Sequence, residues 1–97
     1  MGRTMVLGLC RAEIHIPDAG SLKSKRGVVK GLKERLRSRF NVSVAEVDHL
    51  DLWQRATIAV AVVSNEQRHA NSVLSSVVRH MERDHRAVLT DYELSFF

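Results

Sequence analysis

Residues 4–16 constrain the fold of this chain more than any other stretch. Even positions there are apolar or small (Val6, Gly8, Cys10, Ala12, Ile14, Ile16), while odd positions run from Met5, Leu7 and Leu9 to Arg11, Glu13 and His15. A period of two over that length asks for a long strand with its even side turned to a core. The period then changes. After a turn-like Pro17-Asp-Ala-Gly20, Ser21 is placed to cap a helix whose buried face is Leu22, Val29, Leu32, Leu36 and Phe40. Residues 42–49 and 54–63 read as two strands, with Val42, Val44, Val47, Ile58, Val60 and Val62 as their β-branched content. The connection His49–Trp53 between them is short enough for an antiparallel hairpin. Ser64-Asn-Glu-Gln67 reads as a capping box, and Ala70, Val73, Leu74, Val77, Val78 and Met81 follow at helical period. A last strand covers 87–96, with Val88, Thr90, Tyr92, Leu94 and Phe96 alternating.

The order βαββαβ predicts an α+β, ferredoxin-like fold: a four-stranded antiparallel sheet in the order 4-1-3-2, with both helices on one face. Right-handed crossovers set its hand. The chain's 97 residues are read as one domain, 1–97. Its one cysteine, Cys10, excludes an internal disulfide and fits a reducing, cytoplasmic setting. The apolar run before Arg11 and Glu13 is too brief for a signal sequence or a membrane span, so no membrane partner is expected. The second sheet face has no expected cover. Met5, Leu7, Leu9, Ala59, Ala61, Val63 and Leu89 are assigned to it, an apolar set that marks association. A homodimer through Met5, Leu7, Leu9, Ala59 and Ala61 is the expectation.

Charge is concentrated in one element. Residues 21–39 hold eight cationic side chains against Glu34, a net charge of +7, while the rest of a chain of net +4 sums to −3. Lys23, Arg26, Lys30, Lys33 and Arg37 step by three and four and make one stripe, about 21 Å long at 1.5 Å per residue. Arg35 and Arg39 fall on the opposite flank. Ser24, Gly27, Gly31, Glu34 and Ser38 form a low ridge between the two rows. Each glycine costs about 1 kcal/mol against alanine in a helix, so a close contact is expected there. Solvated charge runs are common, but a helix this poor in acids repels itself, which solubility does not require. The stripe is read as a polyanion surface, with the nucleic-acid-binding set Lys23, Arg26, Lys30, Lys33, Arg37, Arg35 and Arg39.

Three runs, Ser21-Leu-Lys-Ser-Lys-Arg26, Leu36-Arg-Ser-Arg-Phe-Asn-Val-Ser-Val-Ala-Glu-Val47 and Asp51-Leu-Trp-Gln-Arg55, resemble the YlxP-like family of small bacterial proteins. The likeness spans nearly the whole chain. It implies a ferredoxin-like fold, no established activity, and genes that lie beside those for translation initiation and ribosome maturation. By that association it favours an RNA or ribosomal partner.

Other chemistries find little support. Gly20-Ser-Leu-Lys-Ser24 has Leu22 where a phosphate loop needs glycine. A helix N-terminus beside Lys23 leaves a small anion near Ser21–Arg26 as a minor alternative, with an enzyme acting on such an anion behind it. The central strands offer Leu7, Leu9, Ala59 and Ala61 where an RNA-recognition motif stacks bases on aromatics. Asp48, His49, Asp51, Trp53 and Arg55 gather polar groups, but a metal or acid–base site needs a further ligand. Arg55 is expected to pair with Asp48 or Asp51, and Trp53 with Arg55 to touch a partner. His80 and Asp84 make half a metal site, and the pull of a helix C-terminus on cations explains His80, Arg83, His85 and Arg86 more simply. Cys10 is read as a core residue. No catalytic residue, metal or cofactor is nominated. The leading expectation is a non-catalytic protein docking on structured RNA or a ribosomal particle. The alternative is a dimeric ligand-sensing or assembly module that binds no nucleic acid.

Overall fold

The long alternation does fold as a strand. In the computed structural model, which describes residues 5–97, β1 (Val6–His15) buries every even side chain and turns the odd ones outward. Thr4, at the start of the expected strand, lies outside the described residues. α1 (Leu22–Arg39) follows, then β2 (Ser43–Asp48), β3 (Arg55–Ser64), α2 (Gln67–Glu82) and β4 (Val88–Phe96). The sheet order is β2-β3-β1-β4, with every neighbouring pair antiparallel. This is the ferredoxin-like α+β arrangement, with the first and third strands central. Between sheet and helices lie Cys10, Ala12, Ile14, Ile58 and Val60 from the strands and Leu32, Leu36, Leu74, Val77 and Met81 from the helices. Gly8 sits where α2 comes closest: a Cβ there would stand 3.0 Å from Val62, 3.1 Å from Leu74 and 3.3 Å from Ala70. The missing side chain lets helix and strand pack at that distance.

Local chemistry sets the element ends. Ser21 is extended and its hydroxyl accepts from the Ser24 N–H at 3.0 Å, so α1 starts where its cap stands. Phe40 is the C-cap of α1, partly buried against the core. The capping box at Ser64 does not form. Glu66 is the N-cap of α2 and has no side-chain cap bond, while Ser64 accepts from the Glu66 N–H at 3.1 Å in a turn before the helix. The alternation in β4 is also corrected. A bulge pairs Glu13 with Asp91 but Ile14 with Leu89, which leaves Thr90 as the extra residue. The Thr90 hydroxyl donates to the Glu13 carbonyl at 3.1 Å. Parity reverses across it, so Leu89 packs against the core with Leu94 and Phe96 and does not belong to the open face.

One charged residue is fully enclosed. Lys25 occupies the buried stripe of α1, four residues before Val29 and seven before Leu32, and its side chain has no exposed surface. Its ammonium donates to the His49 carbonyl at 2.7 Å and meets Glu46 Oε2 at 2.6 Å. That oxygen lies off the hydrogen-bond line and has no aligned donor, so charge holds it. Glu46 shares the inward side of β2 with Val44. The pair ties α1 to β2 and to the turn after it.

Removing one member of such a pair strands the other in a dry site. Lys25→Ala is expected to cost about 3–5 kcal/mol, whereas the volume-matched double change Lys25→Met with Glu46→Leu costs far less. Urea unfolding of both variants reads this directly. A single variant within about 1 kcal/mol of the parent would remove the pair from the structural account.

Candidate functional site

The cap at Ser21 and the buried stripe of α1 together fix which way its cations point. Lys23, Arg26, Lys30 and Arg37 are exposed and Lys33 is half-buried. None of the five closes an ion pair among the described residues. Arg26, Lys30, Lys33 and Arg37 line a groove of about 400 Å³ between α1 and β2, floored by Val29 and Glu46 with Glu34 at its side. The charge of Glu46 is already engaged by Lys25. On the ridge, a Cβ at Gly27 would meet nothing within 4 Å, so no packing inside the chain requires that glycine. At Gly31 a Cβ would stand 3.2 Å from the Arg35 guanidinium.

The opposite flank is different. Arg35 is bound to Asp84 at 2.5 Å. Asp84 also accepts from the backbone N–H groups of Arg86 at 2.8 Å and Ala87 at 3.0 Å. Burial pushes the Asp84 carboxyl up, but the Ala87 and Arg86 N–H groups and the Arg35 guanidinium more than offset it and hold the carboxyl below its ordinary value. The Asp84 half of the supposed metal pair is therefore a structural anchor between the two helix ends. Arg39, His80, Arg83, His85 and Arg86 surround it and close a cleft of about 380 Å³. A second hollow of about 250 Å³ beside it adds Arg79 and Ser76. His80 stacks edge-on against Phe40 with ring centres 6.2 Å apart. Its imidazole is held below the ordinary histidine range by burial and then by Arg39, Arg35 and Arg83, against a smaller opposing pull from Asp84. The sequence marks His80, Arg83, His85 and Arg86 as cations at one helix C-terminus and Arg35 and Arg39 as a flank of the basic helix. The αα contact that gathers them has no local sequence signal.

The second sheet face divides in two. Met5 and Val63 are strongly exposed, at 65% and 68%, and Leu7 is exposed beside the half-buried Leu9, Ala59 and Ala61. Toward the other end the face is polar. Thr57 donates to Glu13 at 2.6 Å, and Arg11 bridges Glu13 at 3.6 Å and Asp48 at 3.7 Å. Thr57 is fully buried among them. Arg55 therefore does not pair with Asp48 or Asp51. Its guanidinium donates to the His49 ring at 3.3 Å, while Arg11 on the neighbouring strand reaches Asp48. His49 takes a left-handed backbone, φ 60°, in the turn that Lys25 holds. Trp53 is 53% exposed and borders a shallow hollow with His15, Leu52, Gln54 and Arg55. Gln54 reaches back to the carbonyls of Pro17 at 3.1 Å and Ala19 at 3.3 Å, which ties the hairpin to the turn before α1.

Cys10 is buried, and burial pushes its thiol up to about 11, so it stays a neutral core group. Among the described residues no three His, Cys, Asp or Glu side chains are placed to hold a metal ion. No described helix is long and apolar enough to cross a membrane.

The family described as "Protein of unknown function (DUF503)" matches residues 7–94. An "Uncharacterized protein YlxP" of Bacillus subtilis (strain 168) is 36% identical over 77 residues, 79% of this chain and 84% of that protein. Among solved structures, the de novo designed protein Foldit4 superposes with a TM-score of 0.57 over 96% of both chains at 13% identity, a likeness of fold alone.

The Asp84 anchor makes a pH prediction. Its carboxyl lies lower in the folded than in the unfolded chain, so its contribution is fully present above the unfolded value of about 3.8 and is lost as pH falls through the folded value. Asp84→Asn is expected to lower stability at pH 7, with the difference from the parent shrinking as pH falls below about 3.8 and through the lower folded value. Thermal melts at several pH values check it. A deficit that does not shrink as the carboxyl is protonated would contradict the ionic anchor.

Proposed function

The chain belongs to the DUF503 family of proteins of unknown function, and we propose that it is a non-catalytic binding protein of the cytoplasm that docks on structured RNA or a ribosomal particle through α1. One observation carries this reading: Lys23, Arg26, Lys30, Lys33 and Arg37 line one side of a helix with no ion pair among the described residues. A row of cations without acids repels itself, and a phosphate backbone relieves that repulsion by releasing its own counterions. The groove beside the row and the bare ridge at Gly27 let a backbone come close. Side chains set this way reach phosphates and not base edges, so the contact positions without reading sequence.

The open sheet face supplies a second contact, with another copy of this chain. Its apolar half, Met5, Leu7, Leu9, Ala59 and Ala61, matches itself across a two-fold axis, while its polar half is already internally paired. Pairing there leaves both copies of α1 outward. Trp53 and Arg55, exposed at the hairpin end, are available to the same partner as α1.

RNA binding through five phosphates should fall with salt on a log–log slope of about −3.5 to −4.5. Lys30→Glu with Lys33→Glu should nearly abolish binding and leave the fold intact, while Arg68→Glu at the far end of α2 should matter little. Filter binding to a hairpin RNA and co-sedimentation with ribosomal subunits measure both. If the double charge reversal binds like the parent, α1 is not a polyanion surface and the assembly-module reading replaces it.

Leu7→Lys is expected to shift a dimer to monomers by burying a charge in the apolar half of the face. Light scattering at about 100 micromolar, where even weak pairs associate, reads it. A parent monomer at that concentration removes the homodimer from the proposal.

A further inference from the structure

The cleft between the ends of α1 and α2 is a second concentration of positive charge, and the α1 stripe does not explain it. Arg39, Arg83 and Arg86 line it with no ion pair among the described residues. Asp84 is its one carboxylate, and that group is spent on Arg35 and on two backbone N–H groups. The C-terminal dipoles of two helices favour cations nearby, but that pull is worth a few tenths of a kcal/mol to about 1 kcal/mol per charge and falls off within one turn. It accounts for one or two cations and not for a converging group. Burial first, and then Arg39, Arg35 and Arg83, hold the His80 imidazole beside it toward its neutral form.

The shape and chemistry also differ from the stripe. The stripe is linear and mostly lysine, a match to charges spaced along a strand. The cleft is concave, about 380 Å³, and lined by arginine. Planar guanidinium forks grip phosphate oxygens two at a time, and several lining one cleft match a compact, highly charged anion. We propose that this cleft is a binding site for a compact oligophosphate group, with Arg39 and Arg83 as its main ligands and Arg86 at its rim. The group is supplied either by a free phosphorylated ligand or by the triphosphorylated 5′ end of an RNA. The site stands whether or not the α1 stripe binds RNA, because it uses other side chains.

Calorimetric titration with sodium tripolyphosphate at low salt tests it, with sodium sulfate as the control for simple charge. The parent should bind tripolyphosphate at least about tenfold more tightly than sulfate. Arg39→Gln with Arg83→Gln should weaken it by about tenfold or more, while Lys30→Glu with Lys33→Glu should change it by less than about threefold. Both substituted arginines are exposed, and a thermal melt confirms that the variant is folded. If the double variant does not fold, Arg83→Gln alone reads the same loss. A second arm compares a hairpin RNA bearing a 5′-triphosphate with the same RNA bearing a 5′-hydroxyl. An advantage for the triphosphate that disappears in the cleft variant identifies the RNA end as the source. Equal binding of the two RNAs alongside cleft-dependent tripolyphosphate binding identifies a free ligand. The proposal is overturned if tripolyphosphate binds no better than sulfate, if the cleft variant keeps the parent's affinity, or if the stripe variant loses as much as the cleft variant.

Discussion

The buried pair of Lys25 and Glu46 is the constraint on which the geometry of this protein turns. A helix with its net positive charge has weak intrinsic reasons to form and must be held from below. Val28, Val29, Leu32 and Leu36 supply the apolar hold, but they fix only the face that is down. Lys25 fixes position along the axis, because its ammonium must meet both Glu46 and the His49 carbonyl. A shift of α1 by one turn would strand both charges in a dry site. The same contact reaches the left-handed turn at His49, so helix, strand and hairpin are set against one another at one point.

From that point the surface divides by chemistry. One side of α1 carries unpaired cations beside a groove. Its other side meets the end of α2, where Arg35 anchors Asp84 and three further arginines line a cleft. The far sheet face is apolar at one end and internally satisfied at the other. None of these surfaces holds three His, Cys, Asp or Glu side chains placed for a metal ion among the described residues. What the fold displays is charge and apolar area held at defined places.

The fold was largely legible because its signals are periodic and local. Even residues of β1 point inward as their alternation implies, Ser21 caps α1, and the two helices carry apolar positions at helical spacing. The misreadings share a cause. The bulge at Thr90 reverses parity in β4 through a hydroxyl–carbonyl bond to another strand, so Leu89 faces the core. Arg55 turns to His49, while Arg11, far away in the chain, engages Asp48. Lys25 was detectable, since it sits on the spacing of Val29 and Leu32 and Glu46 shares parity with Val44. Its charge hid its position when it was counted among the cations of the block. The arginine cleft was not detectable, because nothing local says that the ends of two helices meet.

The unpaired row on α1 has a further consequence for the protein without a partner. Like charges along one helix resist the helical state, and dissolved ions screen that resistance. Ionic strength therefore acts on this molecule in two opposite senses. Dilute buffer leaves α1 under the greatest internal strain and makes a phosphate backbone most attractive; concentrated salt relaxes the helix and removes the attraction. If a polyanion docks on this row as proposed, its arrival would also tighten α1, and folding and capture would be coupled through one row of side chains.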